Sequence, residues 1–269
     1  MSLAPTVTHD PAAARDAASD TPPVVRRIGL ADLTAALRAG LADFQLMPTY
    51  LVLLTLIYPA VGLIAARAAR GNDIVPLIFP LISGFALVGP LAAVGLYELS
   101  RRREAGLDTR WTHVFDVRKA KSLGTIVGLG VILALLFTAW LASALAIQRW
   151  AMGPASMGDV GDFLSTVFGT AGGLRLIVVG NLVGFVFAAV TLAIAAFSFP
   201  LALDREVSLP EAVATSVRVA VANPVTMAAW GLIVVGALVL GALPAFIGLA
   251  VVMPILGHAT WHLYRRAVG

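Results

Sequence analysis

The chain has 269 residues, 59% of them hydrophobic and 13% charged, with a mean hydropathy of +0.91, which excludes an ordinary water-soluble domain. It contains no cysteine, which excludes disulfides, iron–sulfur clusters and thiolate metal sites. The net charge of +4 does not argue for a nucleic-acid partner, because most Lys and Arg flank apolar runs and read as topology signals.

Residues 1–24 are rich in Ala, Pro, Asp and Thr and contain no apolar core. They read as a disordered cytoplasmic tail, neither signal peptide nor span. Residues 25–269 read as one all-α integral membrane domain. A transmembrane helix needs about 20 mostly apolar residues, and six segments qualify, at about 49–66, 74–97, 123–147, 176–202, 225–243 and 245–264. The last two are divided at Gly241 and Pro244, where a single apolar stretch is too long for one crossing.

Basic loops resist translocation, so their distribution sets orientation. Arg15, Arg26, Arg27 and Arg38 precede the first span, seven cations lie in the loop from Arg101 to Lys121, Arg205 and Arg218 follow the fourth, and Arg265 and Arg266 end the chain. The remaining connections carry only Arg67, Arg70, Arg149 and Arg175. This places both termini in the cytoplasm of a multi-pass inner-membrane protein.

The exits of the spans resemble one another. Pro90 precedes Arg101 and Arg102 as Pro254 precedes Arg265 and Arg266, and Pro200 stands shortly before Asp204 and Arg205. Each hairpin also follows an amphipathic segment. Leu30, Leu33, Leu37, Leu41 and Phe44 recur at helical spacing before the first hairpin. Trp111, Val114 and Phe115 mark a less regular segment before the second. Before the third, Ser208 and Glu211 form a capping box, Pro210 fits the first turn, and a Val213, Val217, Val221 stripe stops at Asn223-Pro224. The expected architecture is three repeats of surface helix plus transmembrane hairpin.

The strings SFPLALDR (198–205), NPVTMAAWG (223–231), GHATWHLYRR (257–266) and GPLAAVGLYELSRRRE (89–104) resemble the bacterial predicted integral membrane proteins grouped as domain of unknown function 2189. The resemblance spans roughly 25–266. It implies an inner-membrane protein and no particular chemistry.

Among candidate sites, His258 and His262 are four residues apart and share one helix face. They are the weak candidates for a metal or haem, since intramembrane ionisable groups merit a functional hypothesis. A zinc motif of the HExxH kind would need Glu where Ala259 stands, and two histidines on one turn cannot sandwich a haem. The alternative makes Trp261, His262 and Tyr264, with Arg101, Arg102, Arg103, Arg265 and Arg266, an interfacial belt, and leaves His258 to bond a neighbouring helix. Gly180, Asn181 and Gly184 form a GxxxG expected to serve helix packing. Asp159 and Asp162 are expected to cap a short helix on the far side, and GTAGG (169–173) lacks the P-loop Lys and Ser.

No catalytic residue and no cofactor is expected. Expected partners are the lipid bilayer and either a membrane-complex partner or a second copy. The basic loop and surface helices would bind anionic headgroups or a cytoplasmic protein. The leading reading is a non-enzymatic structural or accessory component. Its alternatives are a small-molecule transporter or permease using kinked helices around Asn181, Pro90 and Pro254, and a redox subunit using the two histidines.

Overall fold

The computed structural model describes residues 23–47, 78–153, 160–244 and 246–269. Among the described residues the regular structure is all helical apart from one isolated bridge, Val25 to Val268. In order come α1 (Leu30–Leu46), α2 (Ile78–Ala92), α3 (Val94–Glu104), a 3-10 helix (Trp111–Lys119), α4 (Leu123–Met152), α5 (Val160–Gly169), α6 (Ala171–Ala195), α7 (Ser198–Asp204), α8 (Leu209–Ala222), α9 (Pro224–Ala242) and α10 (Leu249–Ala267).

Among the described residues, three helical stretches are long and apolar enough to cross a membrane: 123–152, 171–204 and 224–242. The expected span at 49–66 and the start of the one at 74–97 lie outside the described residues. The expected third span is longer than its apolar core, because α4 runs on to Met152. The expected fourth is interrupted at Ala196-Phe197, four residues before Pro200, whose ring displaces the carbonyl four positions back. Ser216 bridges that break. Its hydroxyl donates to Ala193 O at 2.7 Å and accepts from Phe197 N at 3.2 Å. The expected second span divides likewise between α2 and α3, just after Pro90. Pro254 sits inside α10 without ending it.

The main core lies at the end of the bundle where α1, α3, α7, α8 and α10 meet. Trp230, Trp261, Tyr97, Tyr264, Phe197 and Phe199 are its large, fully enclosed side chains. A smaller cluster of Leu87, Trp140 and Ala144 lies apart, with Phe187 against the Trp140 ring at 5.7 Å. The apolar stretches around it are bare: only 6% of the most apolar window of 171–204 is buried. A side chain such as Phe185, 72% exposed, is stable there only against lipid.

The core end is laced together in a ring. The exit segments α3, α7 and α10 touch pairwise. The 3-10 helix packs on α3, α8 on α7 and α6, and α1 on α10, so each surface segment leans on one exit helix. Two of these pairings join chain neighbours. The third joins the two ends of the chain and is closed by backbone hydrogen bonds, Arg26 N to Ala267 O at 2.8 Å and Gly269 N to Val24 O at 2.9 Å.

Two side-chain clamps reinforce it. Ser122, just before α4, accepts from Val207 N at 3.0 Å and donates to Arg205 O at 3.0 Å, while Thr125 donates to Val207 O at 2.7 Å. Asn223, just before α9, accepts from Ile28 N at 2.8 Å and donates to Arg26 O at 3.1 Å, while Thr226 donates to Ile28 O at 2.9 Å. In both cases a cap residue and a threonine three positions later hold the strand leading into the next surface helix. These bonds satisfy backbone groups that would be costly to bury unpaired.

Candidate functional site: a buried Asp–Ser–His cluster

α1 approaches α10 backbone to backbone because position 40 is glycine. A Cβ there would stand 2.6 Å from Ala259 N and 2.7 Å from Ile255 O. The buried face of α1 is Leu33, Ala36, Gly40 and Asp43. Of the expected leucine stripe, Leu33 is buried and Leu37 packs on the core, while Leu30 and Leu41 are exposed; the small residues permit the close approach. The same holds in α8, which buries Ala212, Thr215, Ser216 and Val219 and exposes Val221. The expected Ser208 cap is present, accepting from Glu211 N at 3.4 Å.

One turn beyond Gly40, Asp43 enters the seam between α3 and α10 and is fully buried. Its Oδ2 accepts from the Ser100 hydroxyl and, at 3.0 Å, from His262 Nε2, while Oδ1 receives Arg103. Ser100 Oγ lies 2.8 Å from His258 Nδ1. A carboxylate only accepts, so Ser100 gives its single proton to Asp43 and must accept from His258, which places that ring's proton on Nδ1. Among the described residues, His258 Nε2 is buried and no well-formed hydrogen bond reaches it. Burial alone would push the Asp43 carboxyl up, but hydrogen bonds from His262 and Ser100 and the nearby imidazoles outweigh it and hold it at about 2.

Outside this knot, His262 Nδ1 lies 3.6 Å from Glu104, and Glu104 pairs with Arg265 at 3.3 Å. Arg265 also reaches Asp204 at 3.1 Å, to which Tyr264 donates at 2.7 Å. A cleft of about 270 Å³ opens beside the cluster, lined by Ala39, Ala42, Asp43, Ser100, Arg103, Glu104 and His262.

The order of groups decides the chemistry. In nucleophilic catalysis a histidine stands between serine and aspartate and takes the hydroxyl proton; here Ser100 stands between Asp43 and His258 and gives its proton to the carboxylate. This order differs from a Ser-His-Asp triad, and the cluster joins α1, α3 and α10 as a latch. The two histidines share a face as expected, but both turn to Asp43. His258 Nδ1 is engaged and its Nε2 is enclosed by protein. Among the described residues, no group of three or more His, Asp or Glu side chains is placed to hold a metal ion.

The other expected residues fall as follows. Trp261 and Tyr264 are fully buried, inside the core rather than along a lipid boundary, because α1 and α3 cover this part of α10. Arg101 pairs with Glu98 at 2.8 Å, Arg102 with Asp116 at 3.3 Å, and Arg266 with Asp32 at 3.0 Å. The arginine triplet is thus consumed largely by internal ion pairs. In the GxxxG, among the described residues, Gly184 meets the Trp140 ring and Gly180 has no neighbour within 4 Å. Asn181 is exposed and donates to Ile177 O of its own helix at 2.7 Å. A short helix, α5, does form around Asp162, while Asp159 lies outside the described residues. Sequence reasoning missed Asp43, Ser100 and Glu104. The available signal was Asp43 itself, a carboxylate in register with Leu33, Ala36 and Gly40.

Residues 78–204 match the model of a family described as predicted integral membrane protein (DUF2189). That stretch is similar to this family over somewhat less than half of the chain. The resemblance read from the motifs holds across it, and with the apolar helices it makes this an integral membrane protein. No curated protein and no solved structure matches the chain. The matched stretch runs from α2 through α7 and so contains Ser100, Arg103 and Glu104, whereas Asp43, His258 and His262 come from outside it.

Proposed function

We propose that this protein is a non-enzymatic structural or accessory component of a bacterial inner membrane, with six spans, both termini in the cytoplasm, and three repeats of surface segment plus hairpin. One observation carries this reading: the polar residues gather at one end of the bundle and are spent on holding its helices together. Asp43, Ser100 and His258 lock α1 to α3 and α10, while Asp204 ties α7 to α10. The repeat is supported by the ring of surface and exit helices and by Leu99, Leu203 and Leu263, each buried two positions before Arg101, Arg205 and Arg265. A permease built around Asn181 loses support from that residue's outward position.

The test is purification of the full chain in mild detergent, with an optical spectrum, metal analysis and identification of co-purifying proteins, alongside reporter fusions after Gly106, Gly153 and Gly269. A colourless, metal-free preparation with fixed partners or a defined self-assembly is expected, with cytoplasmic signals at Gly106 and Gly269 only. A haem band or stoichiometric metal lost in His258→Ala/His262→Ala would replace this reading with the redox one, and gradient-driven uptake into vesicles would replace it with transport.

A further inference from the structure

The surface segments α1 and α8 each leave large apolar side chains uncovered, and the 3-10 helix, which has no fully buried residue, does so most. Trp111 and Phe115 are 54% and 52% exposed, and their rings meet edge to face at 6.4 Å. Arg118 extends the row, its guanidinium 5.7 Å from the Phe115 ring centre. Leu107 is exposed beside them.

Between Leu107 and Lys121 stand four cations, Arg110, Arg118, Lys119 and Lys121, against two carboxylates, Asp108 and Asp116. The carboxylates are occupied at home: Asp108 by Arg110 and His113, Asp116 by His113, Lys119 and Arg102. Lys121 reaches Glu206 only at 3.6 Å, with both side chains largely exposed. Two residues after Lys121 the bare apolar face of α4 begins with Leu123, Val127 and Val131. An exposed aromatic and basic row therefore runs directly into a lipid-facing surface.

We propose that Trp111, Phe115 and Arg118, with Arg110, Lys119 and Lys121, form a docking surface for anionic phospholipid of the membrane that holds the protein. The rings sit at headgroup depth, where an apolar body with a polar edge is favoured. The cations reach phosphate and exchange their weak local pairs for a negatively charged leaflet. A water-facing protein interface is the competing use of such a row. Lipid is favoured by the continuity with α4 and by the excess of positive charge. The inference rests on the reading that this polar end borders the cytoplasmic leaflet.

The test reconstitutes the full chain in phosphatidylcholine vesicles with or without phosphatidylglycerol, using lipids brominated near the headgroup. The fluorescence of the wild type minus that of Trp111→Phe isolates Trp111 among the five tryptophans. Bromolipid is expected to quench the Trp111 component, more strongly with phosphatidylglycerol present. Glutamine at Arg110, Arg118, Lys119 and Lys121 should lower the phosphatidylglycerol preference by about fivefold for each cation removed. Trp111 emission that iodide quenches and bromolipid does not, in both vesicle types, would overturn the proposal and make the row a water-facing partner surface. The Gly106 reporter separates the two readings: an external signal there overturns the orientation, whereas lipid quenching tests the docking itself.

Discussion

At Asp43 a carboxylate that would ordinarily face water is enclosed by three helices and takes hydrogen bonds from Ser100, His262 and Arg103. Asp43→Asn keeps the shape but leaves Arg103 without its counter-charge and replaces two of the acceptor's bonds with an amide clash. It is expected to lower stability by about 2–3 kcal/mol, read as a drop in melting temperature in detergent. The pH dependence follows from the same contacts. The folded carboxyl is depressed to about 2 from 3.8, so its contribution, on the order of 2 kcal/mol, is complete above the unfolded value and lost as pH falls from about 4 toward 2. Asp43→Asn should abolish that part of the acid transition, and an unchanged acid limb would take Asp43 out of the latch.

The element that most constrains the fold is the α1 and α10 pair, whose spacing is set by Gly40. Gly40→Ala would drive a methyl into the α10 backbone at Ala259 and is expected to cost about 1–3 kcal/mol. Gly124→Ala, at a helical glycine with nothing within 4 Å, should change stability by less than ~1 kcal/mol and in the favourable direction. Equal effects of the two in urea or thermal unfolding would contradict the close packing. This contact also explains why the face that α1 turns to α10 is not its leucine stripe alone. Hydrophobic periodicity finds the leucines and Phe44 of α1, its large apolar residues, but a helix that touches its neighbour along the backbone does so through small ones. The end of α8 at Asn223-Pro224 was legible because cap and proline act locally, whereas the reach of Asn223 to Ile28 spans 195 positions and leaves no local trace.

For the molecule as a whole, apolar helices are left bare along most of 123–152 and 171–204, and the charged groups gather at one end. The absence of cysteine makes this directly measurable by single-site spin labels in vesicles. A label at Leu182→Cys is expected to be relaxed by oxygen and protected from a water-soluble nickel complex, and a label at Ala105→Cys should show the opposite. Nickel access at position 182 would remove α6 from the bilayer. The sequence by itself determined the membrane class, the helical class, the positions of the charged exits and the family resemblance, because span length, hydropathy and loop charge are local sums over adjacent residues. Only the tertiary structure decided that Trp261 and Tyr264 are core residues, that the arginine triplet is spent on internal pairs, and that Asp43 meets Ser100 and His262 from 57 and 219 positions away. Those contacts depend on how closely three helices can approach, and that distance is set jointly by small residues on different helices.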